Sequence, residues 1–325
     1  MKIVAALLAH DDASYISNSI ECPRLFIKSI SNITSTHSKL SSSSKIPLFL
    51  FLSRLPWHGR AGDWQAAAAV AESLGLTTII GDWNSELAQR QVAIEHLTSL
   101  GFTHALIPDT DEIIEPQLLQ TLLKIAENEL ADRVYVHWDT YWKSPQYVIR
   151  PREPFTPCYL IDLRVAKSVG GRNFEGGRPL LLGPEYGIVH HLSWVGPQRR
   201  IDRKTETWGH AKEVLPGWKD RVWKAWDSDK TLRNLHPTHP QAYGFAERIA
   251  LPGDPKARLG AIAVGDIGEV DVAAGGTISK KLDAPPDIER GEWHSPSSAR
   301  AVRREAPYRP ASQRSSLSRW ERYRR

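Results

Sequence analysis

Apolar positions recur along this chain in two periods, and their succession sets the order of elements. Residues 2–9 read as a strand buried on both faces, because 3–9 are continuously apolar and flanked by Lys2 and His10, and residues 46–52 repeat the pattern. Residues 65–74 form an alanine-rich helix closed by Gly75, and residues 77–80 supply a third strand. Asn84 or Ser85 caps a helix in which Leu87, Ile94, Leu97 and Leu100 recur at turn spacing as far as Gly101. A strand over 103–107, an amphipathic helix over 118–130 and a strand over 133–138 follow. Alternation with such short links predicts an α/β fold whose mostly parallel sheet carries helices on both faces.

Later segments extend this plan. Residues 157–163 and 187–192 read as strands in a mixed part of the sheet, residues 198–212 as a polar helix, and the Trp- and Pro-dense stretch 216–243 as a wrap around the domain. Near the start, residues 14–44 hold a helical pattern around 25–33 and a serine loop at 41–44. Beyond Pro252 the pattern fades, so the expectation is one domain over 1–250 and a low-complexity, disordered tail over 251–325.

Composition narrows the class. With 325 residues, 41% of them hydrophobic, the chain is large enough for a full core. Cys22 and Cys158 are its only cysteines, in unrelated contexts, which indicates neither a disulfide framework nor a cysteine metal cluster. No apolar run approaches the roughly 20 residues of a membrane span, and the apolar start ends too soon, at His10-Asp11-Asp12, for a secretory leader. A cytoplasmic protein is the expectation. Residues 300–325 hold nine arginines against two glutamates, and subtracting that +7 from the whole-chain +5 leaves −2 for residues 1–299. Basicity therefore belongs to the tail. Solvated disorder is the expectation for it, with contact to an anionic membrane surface or nucleic acid as the alternative, and no specific nucleic-acid binding is expected of the near-neutral folded part.

Candidate chemistry centres on Leu-Ile-Pro-Asp-Thr-Asp-Glu-Ile-Ile at 106–114. A strand ending there delivers Asp109 and Asp111 to the carboxyl edge of a sheet, where open α/β sheets bind ligands. Two hard oxygen ligands one residue apart suit Mg²⁺ or Mn²⁺ bridging a diphosphate, whereas the plain alternative is that Asp111 caps the helix after Pro116. His190-His191 ends an apolar strand, and an imidazole there can complete a metal site begun by Asp111, whereas the plain alternative is a hydrogen-bonding histidine. Arg90 can reach a diphosphate in a guanidinium fork, or lie on a solvated helix face. Trp138, Tyr141, Trp142 and Trp194 offer flat rings for a sugar, with at least two of the four expected in the core. Asp139 and Glu185 are the general-base candidates by position. No P-loop, nucleophile elbow, His-Glu-x-x-His or dinucleotide fingerprint is present.

The order of pieces resembles family-2-like glycosyltransferases of the GT-A fold. The matching segments are Met1-Lys2-Ile3-Val4 leading into His10-Asp11-Asp12, Gly81-Asp82-Trp83-Asn84-Ser85-Glu86 with Gln89-Arg90, and Pro108-Asp109-Thr110-Asp111-Glu112. Thr140-Tyr141-Trp142-Lys143-Ser144-Pro145 and His190-His191-Leu192-Ser193-Trp194 look like acceptor-side segments, so Trp138, Trp142 and Trp194 are the acceptor-binding candidates. The resemblance spans about residues 1–245. It implies that Asp109 lies near ribose and metal, that Asp111 and His191 (or its neighbour His190) ligate Mn²⁺ or Mg²⁺, and that His10, Asp11 and Arg90 join Asp109 in donor binding. The implied activity is metal-dependent, inverting transfer from a nucleotide-sugar donor to a glycan, lipid-linked or small-molecule hydroxyl. Residues 21–53 depart from the pattern, since Ser53 stands where relatives end a strand in an acid. That departure supports an alternative, a catalytically decayed GT-A-fold carbohydrate-binding or assembly protein.

Overall fold

Among the described residues seven strands form the central sheet, and six of them run parallel. The computed structural model describes residues 2–9, 46–60, 62–170 and 172–249. His10, Asp11, Cys22, the 25–33 pattern, the 41–44 loop and the basic tail lie outside the described residues. The first strands are β1 (Ile3–Ala9), β2 (Leu48–Ser53), β3 (Thr77–Gly81), β4 (His104–Leu106), β5 (Glu112–Ile114) and β6 (Arg133–Tyr135). They are followed by β7 (Trp138–Arg150), β8 (Cys158–Asp162), β9 (Lys167–Gly170), β10 (Asn173–Glu175), β11 (Pro179–Leu181), β12 (Val189–Val195) and β13 (Phe245–Arg248). The central sheet has the order β11-β6-β8-β4-β1-β2-β3, with β8 antiparallel to both its neighbours. This is the expected mostly parallel α/β architecture.

The continuous apolar run of β1 follows from its place between β4 and β2, where both faces are covered. Among the described residues four α-helices accompany the strands: α1 (Trp64–Ser73), α2 (Glu86–Ser99), α3 (Pro116–Glu127) and α4 (Gln198–Thr207). Asp63 caps α1 and Ser85 caps α2 by accepting from the third backbone N–H beyond each. The helix α2 lays Ala93 and Leu97 on Val4, Ala6, Phe49, Phe51, Ala105 and Ile107. Its Gln89 is fully buried and donates to both Ala9 O and Phe51 O at 2.7 Å, tying the helix start to the ends of β1 and β2.

At the end of β2, the fully buried Ser53 hydroxyl lies 2.9 Å from Leu55 O and 3.0 Å from Trp83 O. Gly81 makes this turn possible, because a Cβ there would fall 2.5 Å from the Trp83 ring. Ser53 thus serves the backbone where the family pattern expects a nucleotide-binding acid.

A second, four-stranded sheet has the order β13-β7-β12-β5. The sequence reading ended a strand at Trp138 and placed 187–192 in the central sheet. Instead, β7 runs thirteen residues and pairs with β12 in this separate sheet. Behind it lies an aromatic core of Trp142, Trp194, Trp218, Trp223, Trp226 and Tyr243, so the 216–243 segment covers this sheet. No helix among the described residues is long and apolar enough to cross a membrane.

Candidate functional site

The acid pair lies at the carboxyl edge of the parallel sheet. Asp109 bridges to Leu8 of β1 beyond the end of β4, where the strand order turns from β4 through β1 to β2. In open α/β sheets this switch point is where ligands bind. The following residues turn into β5, so Asp111 caps no helix: α3 begins at Pro116 after Glu115, without a side-chain cap bond.

Each acid is surrounded by cations of the chain itself. Arg90 Nη2 donates to Asp109 Oδ1 at 3.0 Å, and Arg172 Nη1 lies 3.3 Å from Asp109 Oδ2. Arg172 also pairs with the buried Glu112, while Arg90 pairs with Glu86 at 2.8 Å. Asp111 is buried, with Arg200 Nη2 at 3.3 Å and Lys204 Nζ at 3.8 Å from its Oδ2. His191 Nε2 stands 3.9 Å from its Oδ1. Burial pushes the Asp111 carboxyl up, but Lys204, His191 and Arg200 together outweigh it and hold the pKa at about 2. Burial likewise opposes ionisation of Asp109, yet Arg172 and Arg90 keep its pKa below the ordinary value. Burial brings the Lys204 ammonium down to about 8 in spite of Asp111. The Asp109 side chain, 31% exposed, is the open member of the acid group.

The cations reach this place by local folding. Arg200 and Lys204 are four apart on α4 and share its buried face, and Arg200 Nη1 also donates to the carbonyls of Leu192, Ser193 and Val195. Arg90 is carried in by the Gln89 clamp, and Arg172 precedes β10. His191 is held from behind: its ring stacks on Trp138 at 4.2 Å, with Thr140 Oγ1 3.4 Å and Glu153 Oε1 3.9 Å from Nδ1. Burial would lower its pKa, but the neighbouring Glu153 and Asp111 carboxylates reverse that and raise it.

Several sequence candidates fall elsewhere. His190 faces away from Asp111, because neighbours on a strand alternate sides: its Nδ1 meets Tyr141 Oη at 2.8 Å and its Nε2 meets Glu115 Oε1 at 3.2 Å. Asp139 pairs in register with His190 and shares that side, held by Arg152 Nε at 2.8 Å and Arg150 Nη1 at 3.1 Å. Burial opposes its ionisation, but Arg152 and Arg150 lower its pKa, a poor setting for a base. Glu185 is exposed on the Pro184–Tyr186 turn and acts electrostatically on His137, as Asp139 does. Neither base candidate stands with Asp111. Trp142 and Trp194, 0% and 1% exposed, belong to the aromatic core and present no open face to a sugar. Trp138 lies at the site, but it is buried with His191 stacked on its ring.

Sequence reading missed Arg172, Arg200, Lys204 and Glu153. Arg200 and Lys204 stand i,i+4 on the polar helix expected over 198–212, and that spacing is the only local signal they carry.

The expected metal was tested against these residues. Three of the four carboxylate oxygens of Asp109 and Asp111 are engaged by guanidinium or ammonium groups. Among the described residues no three His, Cys, Asp or Glu side chains are grouped to hold an ion. This donor set does not fit a divalent cation.

No protein-family model matches the chain, and no curated protein matches it. Among solved structures, TarS 1–349 of S. aureus is similar at a TM-score of 0.37 and 10% identity, over 59% of this chain and 61% of that one. The same protein in complex with UDP-GlcNAc is matched over 35% of its length. A 4-diphosphocytidyl-2C-methyl-D-erythritol synthase is similar at 0.35 and 13%, over 62% and 96% of the two chains. CMP:2-keto-3-deoxy-manno-octonic acid synthetase complexed with CTP gives 0.31 and 10%, over 52% and 80%.

Proposed function

We propose that the protein is a glycosyltransferase that moves a sugar from a nucleotide-sugar donor to a hydroxyl acceptor. The observation carrying this reading is Asp109, the open carboxylate at the sheet's switch point, with Arg90 and Arg172 on its two oxygens. A ligand of an open parallel sheet is bound at that place, and guanidinium groups there match the charge of a diphosphate. The motif order supports the same class. On this reading Asp109 orients the nucleoside end of the donor. Arg90 and Arg172, in a low-dielectric setting, favour the negative charge that grows on the departing nucleoside diphosphate.

Calorimetry of the full-length chain against UDP-, GDP- and CMP-linked sugars tests the proposal. At least one donor binds, and Asp109→Ala weakens it by about tenfold or more. Failure of every donor, with chelator and with Mn²⁺ alike, removes the reading. A second reading, a carbohydrate-binding or assembly protein on the same fold, draws on the placement of Asp139 and Glu185 away from Asp111. A donor that binds but is never consumed, whatever acceptor is offered, selects it.

A further inference from the structure

A divalent cation binds carboxylates that offer it free oxygens in a field of net negative charge. This edge offers one unengaged oxygen, Asp111 Oδ1, and no net negative charge. Glu86, Asp109, Asp111 and Glu112 are met by Arg90, Arg172, Arg200 and Lys204, four carboxylates against four cations. The remaining acid, Glu153, is matched with His191. An ion placed between Asp111 Oδ1 and His191 would stand within a few ångströms of the ammonium of Lys204 and the guanidinium of Arg200, where low dielectric strengthens repulsion. The two guanidiniums beside Asp109 also have donor capacity to spare. Arg90 Nη1 and Arg172 Nε are buried without a hydrogen-bond partner among the described residues.

We infer that the acid pair of this chain is neutralised from within by Arg90, Arg172, Arg200 and Lys204, so that it holds no divalent cation and a nucleotide binds at this edge without one. The second half of this statement rests on the donor reading above; the first does not. In place of a mobile ion, the charge is carried by side chains anchored in α2, α4 and the segment before β10. Lys204 also hydrogen-bonds Ser193 Oγ, and Arg200 holds three carbonyls of β12. The positive charge is therefore fixed before any ligand arrives, which lowers the reorganisation that binding requires.

Manganese alone is the first probe. The metal-stripped full-length chain, titrated with MnCl₂ and followed by the paramagnetic signal of free Mn²⁺, shows no site tighter than millimolar, in the wild type and in Asp111→Asn alike. A stoichiometric site that Asp111→Asn abolishes overturns the inference. The second probe is UDP, GDP or CMP, whichever binds in calorimetry. Its Kd in EDTA and in MnCl₂ agrees within about threefold, and a gain of about tenfold with Mn²⁺ that Asp111→Asn erases overturns the inference while leaving the donor reading intact. If none of the three nucleotides or their sugars binds under either condition, the donor reading fails together with the second half, and the manganese titration still decides the first. Removing the ammonium by Lys204→Met, with folding checked by thermal melting, strengthens Mn²⁺ binding by about tenfold or more. An unchanged response in a folded variant counts against the inference, and if the variant does not fold the wild-type titration stands alone.

Discussion

Nε2 of His191 stands 3.9 Å from Oδ1 of Asp111, although the two residues belong to distant parts of the chain. The pairing of β12 with β5 places His191 opposite Glu112, next to Asp111. One residue earlier, His190 turns to Tyr141 and Glu115 on the other side of the strand. The same alternation separates Thr140, which bonds His191, from Asp139, which lies with His190. Two chemical settings are thus built back to back on one sheet.

Asp111 couples stability to acid. Its folded pKa of about 2 lies below the ordinary 3.8, so its contribution is present above about pH 4 and is lost as pH falls through the folded value. The shift corresponds to about 2 kcal/mol. Urea unfolding of wild type and Asp111→Asn from pH 6 down to pH 2 should show the gap between them narrowing by about that amount. A gap that stays constant across this range contradicts the ion pairing described.

Arg172 compensates two acids. Replacing it by Ala leaves Glu112 buried without its partner and frees one oxygen of Asp109. Breaking a buried pair from one side costs about 3–5 kcal/mol. Chemical denaturation of Arg172→Ala measures this, and a loss below about 1 kcal/mol would mean that the guanidinium is not buried against Glu112.

Gln89 fastens α2 to the ends of two strands. The Gln89→Leu change keeps the volume but strands the carbonyls of Ala9 and Phe51, a loss of about 1–3 kcal/mol. Because Arg90 follows in the helix, nucleotide affinity should fall as well, a readout that separates positioning from stability alone.

The tryptophan core is structural. Trp142→Ala opens a cavity among Trp194, Trp218 and Trp223 and should cost about 3–5 kcal/mol, seen as an earlier denaturation midpoint. In the milder Trp142→Phe, sugar binding should stay as in the wild type. Loss of sugar binding at unchanged stability would restore an acceptor role for this ring.

How much was legible can be judged residue by residue. The apolar run of β1, the Ser85 cap and the Thr103–Ile107 pattern are local signals, and each element formed where they pointed. Trp142 and Trp194 were ambiguous because an aromatic residue near polar neighbours carries the same signature in a core or at a sugar platform; only the packing of residues 218–226 against them decided. Arg200 and Lys204 carried no local sign of a role because their partner, Asp111, is remote in sequence.

By itself the chain determined its alternating α/β plan and the delivery of Asp109 and Asp111 to a strand end, because burial periodicity and capping act over a few residues. Tertiary structure alone decided that β7 and β12 leave the central sheet, that Asp139 and His190 face away from Asp111, and that four buried cations surround the acid pair. Strand register and charge compensation are long-range: they depend on which distant segments meet, and a one-residue change of register would exchange every side chain between the two faces.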